Sequence, residues 1–226
     1  MTEADLEKEV QEVLGFPAKI AIVHENLDPV EFFPEEKEVC SSFKGKRLES
    51  WLKGRRALKQ LLKKMDESSG TAFLTFPNPR FSLTHTGDTA AAAGLPPQFD
   101  RSSLKENSGQ ISGIGIDLEL HRAISLAATR FFLNQTEKKW ILRFDFEVRE
   151  LELLRLWTIK EALYKANPEN KGTFLFQYAL KDPELSVGEA VISTFPDLQF
   201  MYASFRLQEG FFSFAVSKKL RTVSSP

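Results

Sequence analysis

The sequence predicts an α+β fold built as two similar α+β halves, a pseudo-dimer within one chain, with residues 1–112 and 113–226 as its domains. Three observations point there. Short period-two stretches alternate with longer helical ones, which favours α+β over a helical bundle or an all-β sandwich. A polar, proline-bearing stretch from Leu95 to Ser112 divides the chain near its middle, as a linker would. A faint repeat crosses that division. Each side has a Trp-containing basic helix, Trp51 to Lys59 and Trp157 to Lys165, and then an apolar strand, Phe81-Ser82-Leu83 and Phe212-Ser213-Phe214.

Taken in order, the acidic stretch Met1 to Glu12 reads as neither a signal nor a transit peptide. Pro34 followed by Glu35 and Glu36 starts a helix, with proline at its first position and carboxylates at the positive dipole end. Ser41, Ser42 and Gly45 divide that helical stretch in two. Leu48, Trp51, Leu52, Leu58, Leu61 and Leu62 then share one face of the second piece. After a break at Asp66–Gly70, Thr71 to Phe76 alternates like a strand. Arg80 to His85 and Thr89 to Gly94 form a hairpin around Thr86-Gly87-Asp88.

In the second half, Ile111 to Leu120 is a strand with Ile114, Ile116 and Leu118 on one face and Gly115, Asp117 and Glu119 on the other. Asn134 with Glu137 three residues on is a capping-box start to the helix after Arg130 to Leu133. Leu151 to Ala166 is helical and stops at Asn167-Pro168, since a residue before proline is pushed out of helical space. Phe174 to Leu180, Leu198 to Leu207 and Phe211 to Lys218 supply further strands.

Composition narrows the function. The chain has 226 residues, 42% hydrophobic and 27% charged, which excludes a disordered or collagen-like chain. A net charge of −1 argues against nucleic acid as partner, and no apolar run approaches the roughly 20 residues needed to cross a membrane. Cys40 is the only cysteine, and Glu36 and Glu38 nearby disfavour its thiolate, so it reads as a half-buried helix residue. The expected setting is soluble and cytoplasmic. With 20 Phe against 3 Tyr and 3 Trp, the interior should be rich in phenylalanine.

Three stretches carry chemistry. Asp117 and Glu119 project from one strand face, where two carboxylates can share a hard cation such as Mg²⁺. Trp157, Glu161 and Lys165 recur at i, i+4 and i+8 along one helix face; Glu161 and Lys165 are also spaced for an ordinary helix salt bridge. His85 sits where a strand enters a tight turn, flanked by Thr84 and Thr86, in a setting suited to an anion or simply to a packed histidine. His24 and His121 have no such setting. The ten Lys/Arg and four Glu between Glu35 and Lys64 make the largest local positive field, readable alone as a solvated helix face.

Together, Thr84-His85-Thr86, Gly115-Ile116-Asp117-Leu118-Glu119 and Trp157 to Lys165 resemble the signatures of the Sfp-type 4′-phosphopantetheinyl transferase superfamily. Lys46-Arg47, Gly54-Arg55, Arg130-Phe131-Phe132 and Glu137 extend the likeness. The resemblance implies an enzyme that moves 4′-phosphopantetheine from coenzyme A to a serine of an apo acyl or peptidyl carrier protein, releasing adenosine 3′,5′-bisphosphate. It implies a site between the halves, with Mg²⁺ held by Asp117, Glu119 and Glu161, and Glu161 as general base, directly or through a bound water. Lys165 would stabilise or protonate the leaving phosphate, and Lys160 would be a further cationic contact. His85 and Thr84 match contacts to the coenzyme A phosphates, and Arg47 and Arg55 match contacts to its nucleotide end. The carrier's recognition helix would pack near Phe131, Phe132 and Leu133; the competing expectation is that two of these three are core. A chain with both halves should act as a monomer.

Two departures stand out. Where family members carry Gly-Lys-Pro, this chain has Phe76-Pro77-Asn78-Pro79-Arg80, with Arg80 the candidate substitute. After Lys165 a glycine-rich turn gives way to Asn167 to Gly172. A non-catalytic module binding coenzyme A or a carrier protein is the alternative, and an unrelated Mg²⁺-dependent phosphohydrolase a third reading. The complete carboxylate set argues against the first. The order of basic helix, His turn and Lys-Glu helix argues against the second.

Overall fold

The computed structural model describes residues 1–24, 31–67, 71–72, 74–96, 110–120 and 122–220. Most of the expected linker, 97–109, and His121 lie outside the described residues. The elements run α1 (Glu3–Leu14), β1 (Lys19–Val23), α2 (Pro34–Ser41), α3 (Gly45–Lys64), β2 (Phe81–Thr86), β3 (Thr89–Gly94), β4 (Gln110–Leu120), α4 (Thr129–Phe132), α5 (Gln135–Ile141), α6 (Phe146–Ala166), β5 (Ala179–Leu180), β6 (Val187–Val191), β7 (Leu198–Leu207) and β8 (Gly210–Lys219). They make a mixed α+β protein with two antiparallel sheets, ordered β1-β3-β2 and β4-β8-β7-β6-β5.

The first sheet is thin because β3 is. Its Ala90 to Ala93 alternate between two cores. Ala90 and Ala92 pack with Ala57, Leu58, Leu61 and Leu62 of α3, whereas Ala91 and Ala93 join the cluster shared with α1 and the second sheet. Small side chains on both faces let a helix and a second sheet approach together. In that shared cluster Leu6, Val10 and Leu14, the i, i+4, i+8 face of α1, meet Ile114, Ile116, Phe212, Phe214 and Val216. The other face of the second sheet packs against α6, around Ile159, Leu163, Phe200 and Tyr202. Much of the phenylalanine excess is core: Phe16, Phe132, Phe200, Phe212 and Phe214 are fully buried.

Several expectations need correction. Thr71 to Phe76 forms no strand among its described residues. The backbone of Thr71 is instead held by side chains: its N–H donates to Glu36 Oε1 (3.2 Å) and its carbonyl accepts from Arg55 Nη1 (2.5 Å). Phe174 to Leu180 contains a 3₁₀ turn, Leu175–Gln177, and only Ala179–Leu180 is paired as strand. Helix α6 begins five residues before Leu151, because Asp145 caps it by accepting from the Val148 N–H at 3.1 Å. Cys40 lies half-buried in α2. Among the described residues no helix is long and apolar enough to cross a membrane.

Candidate active site

The edge strand of one sheet faces the edge strand of the other, and side chains, not backbone pairs, join them. Ser82, Thr84 and Thr86 stand at alternate positions of β2 and all reach β4. The Ile116 N–H donates to Ser82 Oγ (2.9 Å) and the Leu118 N–H to Thr84 Oγ1 (3.4 Å). In return Thr84 donates to Asp117 Oδ1 (2.8 Å) and Thr86 to Glu119 Oε2 (3.0 Å).

Helix α6 closes the arrangement from behind. It can come close because Gly115 has no side chain: a Cβ there would collide with the Ala162 carbonyl and the Ala166 amide. This approach brings Lys165 Nζ to 2.7 Å from Asp117 Oδ1 and 3.2 Å from the Ile116 carbonyl. Trp157 Nε1 donates to Glu119 Oε1 at 3.1 Å. Between β2, β4 and α6 lies a cleft of about 680 Å³, lined by Thr84, His85, Asp117, Glu119, Trp157, Glu161 and Lys165, with Arg122, Tyr164 and Asn170 at its sides.

The charges of the cleft are unevenly satisfied. Burial pushes the Glu161 carboxyl above its ordinary range; Lys165 opposes this, while Asp117 and Glu119 add to it. His85 is held below the usual histidine range, first by desolvation and then by the Lys165 cation. Asp117 Oδ2 is buried and has no hydrogen-bond partner among the described residues. An orphaned buried carboxylate oxygen, with two more carboxylates in the same cleft, is donor chemistry that suits a hard divalent cation. Among the described residues, however, no three such side chains converge closely enough, as they stand, to enclose a metal ion. Cations of the protein hold these oxygens instead: Lys165 on Asp117, and Arg122 in a direct ion pair with Glu119. The match to Mg²⁺ is therefore one of chemistry and of one unpartnered oxygen, not of a finished cage.

Not every expected residue reaches the cleft. Lys160 is a correction: it is fully buried on another face of α6, pairing with Glu137 Oε1 at 2.6 Å and donating to the Tyr178 carbonyl. Burial pushes its pKa down to about 8 even with Glu137 beside it. Arg55 stacks on Trp51 (5.1 Å) and Arg47 on Phe43 (4.4 Å), both outside the cleft lining. Arg80 pairs with Glu67 (2.7 Å) and the Leu95 carbonyl and lies outside the cleft lining, whereas Phe76 and Pro77 line the cleft. Phe132 and Leu133 are core and only Phe131, 57% exposed beneath the Arg130 guanidinium, is available to a partner.

Sequence reasoning missed Arg122, whose guanidinium lies 4.8 Å over the Trp157 ring. It also missed Lys53, which clamps the β2–β3 turn through Asp88 (2.7 Å) and the Gly87 carbonyl (3.2 Å). Lys53 has no spacing signal, since it acts across the fold, whereas Arg122 stands three residues after Glu119, its ion-pair partner. The joint roles of Ser82 and Thr86 did have one, in their period-two alternation with Thr84.

Residues 113–195, from β4 through α6 to just past β6, match the 4′-phosphopantetheinyl transferase superfamily. This segment is a 4′-phosphopantetheinyl transferase superfamily domain. Within it lie Asp117, Glu119, Trp157, Glu161 and Lys165, so the carboxylates and the lysine of the cleft all belong to the superfamily domain. Strand β2, with Thr84 and His85, lies before it and closes the cleft from the other sheet. No curated protein is matched by the chain.

Proposed function

We propose that the protein transfers 4′-phosphopantetheine from coenzyme A to a serine of an apo acyl or peptidyl carrier protein. The observation that carries this reading is the cleft between the sheets, where a superfamily domain presents Asp117, Glu119, Glu161 and Lys165 together. The serine oxygen forms a bond to the phosphorus that bears the pantetheine arm, and the bond from that phosphorus to the adenosine bisphosphate breaks. A phosphate diester repels its nucleophile, so the residues must position and neutralise more than activate.

Asp117, Glu119 and Glu161 would hold Mg²⁺, which when bound neutralises the pyrophosphate of coenzyme A. For this Glu119 must leave Arg122 and Asp117 must share Lys165. Glu161 would take the serine proton, directly or through a bound water. Lys165 would protonate or stabilise the departing phosphate. His85 would contact a phosphate from the cleft wall, while Arg47 and Arg55 would meet the nucleotide beyond it, provided their stacked guanidinium groups turn towards the ligand. We further propose that 1–112 and 113–226 are related halves, that the chain acts as a monomer, and that the carrier docks over exposed Phe131.

Incubation with coenzyme A, Mg²⁺ and several apo carrier proteins, followed by intact mass measurement of each carrier, tests the reaction. A phosphopantetheine mass gain supports transfer. Binding of coenzyme A without any gain would favour the non-catalytic alternative.

A further inference from the structure

We propose that Thr84 is a positioning residue for the Asp117 carboxylate, leaving the other oxygen of that carboxylate without a hydrogen bond, as a ligand for a metal ion. The inference rests on the transferase reading above, in which Asp117 is a metal ligand, and it changes the role of Thr84 from phosphate contact to carboxylate holder.

The Thr84 hydroxyl has one proton, and it goes to Asp117 Oδ1 at 2.8 Å. Its lone pairs accept from the Leu118 N–H at 3.4 Å, so the hydroxyl is gripped from the strand it grips. Lys165 donates to the same oxygen, Oδ1, at 2.7 Å. Both donors therefore hold one side of the carboxylate, and Oδ2 is left buried and without a partner. At 3% exposed, Thr84 presents little surface to a ligand. One position along the same face, Thr86 repeats the device by donating to Glu119 Oε2 at 3.0 Å. Two hydroxyls two residues apart thus address two carboxylates two residues apart, in the same order along the two strands. A group that fixes the orientation of a ligating carboxylate tunes affinity for the ion without touching it.

The test is direct binding of Mn²⁺ to the full chain, read by electron paramagnetic resonance of the free ion, alongside coenzyme A affinity and thermal stability. For Thr84→Val, which keeps the β-branched shape and loses the hydroxyl, Mn²⁺ affinity should fall about tenfold or more. Thr84→Ser should recover most of it. Equal Mn²⁺ affinity in wild type and Thr84→Val would overturn the proposal, as would a loss confined to coenzyme A binding, which would restore the phosphate-contact role. If wild type itself binds no Mn²⁺, the metal reading of the cleft fails first and the proposal with it. Should Thr84→Val not fold, Thr86→Val, at a half-buried position, decides in the same assay: unchanged affinity there overturns the hydroxyl device.

Discussion

Trp157 Nε1 donates to Glu119 Oε1 at 3.1 Å, tying the first residue of the cleft-facing row on α6 to the second carboxylate of β4. The same indole packs edge-on against Phe132 at 5.2 Å and lies under the Arg122 guanidinium. One side chain thus links the core below α4 to the charge of the cleft. Trp157→Phe should keep the packing and lose the donor. Stability should fall by about 2 kcal/mol, the scale of a hydrogen bond to a buried charge, and transfer activity with it. A denaturant midpoint equal to wild type would show that Arg122 and Thr86 satisfy Glu119 without the indole.

Asp117→Ala should abolish transfer, by about a hundredfold or more, while the chain stays folded. The removed carboxylate leaves Thr84 and Lys165 without their partner, at a stability cost of about 1–2 kcal/mol. Carrier mass gain and a circular dichroism melt, run on the same preparation, check both halves of this statement.

Gly115→Ala should be among the most damaging single changes. The new Cβ meets backbone atoms of Ala162 and Ala166, which cannot rotate away, so α6 must lift off β4. Overpacking of this kind costs roughly 3 kcal/mol or more, and it separates Lys165 from Asp117. Chemical unfolding measures the first effect, and loss of transfer under conditions where the variant is still folded measures the second.

Lys160→Met should destabilise the protein by about 3–5 kcal/mol, because Glu137 is left charged and buried. The double variant Lys160→Met with Glu137→Gln should recover much of that loss. If the single variant were as stable as wild type but impaired in coenzyme A binding, Lys160 would belong to the ligand after all.

Glu36 gives a pH dependence. Burial works against its charge, but donors from Lys59 (2.8 Å), Thr71 and the Phe33 N–H (3.0 Å) outweigh it and hold the carboxyl below its ordinary 4.5. A carboxyl lowered on folding stabilises the protein above its unfolded value and loses that contribution as pH falls through the folded one. The stability gap between wild type and Glu36→Gln should therefore be widest near neutrality and shrink below about pH 4.5. Urea titrations at pH 7, 5 and 3 test it, and a gap that widens on acidification would reverse the sign.

Local signals accounted for much of this structure. The β2–β3 hairpin follows from its Thr-Gly-Asp turn, the start of α5 from Asn134 and Glu137, and the end of α6 from Asn167-Pro168. Helix α1 escaped notice even though Thr2, Leu6, Val10, Leu14 and Gly15 spell a capped amphipathic helix, because its acidic surface residues dominate the composition. The short strands β1 and β6 were missed as well. Thr71 to Phe76 alternates like a strand, yet Glu36 and Arg55 hold the backbone of Thr71, and no spacing rule sees a partner 35 residues away. The same limit explains Lys160. The family resemblance implied a ligand contact for it, whereas the residue that claims it, Glu137, belongs to another helix.

The seam between β2 and β4 has a further consequence. Hydrogen bonds between backbones tolerate almost any side chain, so a continuous sheet would keep its alignment through most point mutations. Here the alignment of the two sheets is written in Ser82, Thr84 and Thr86, three positions at which a single codon change can alter it. The spacing between the sheets is thus heritable in small steps, and the width of the cleft can drift from one descendant to the next without either sheet being rebuilt.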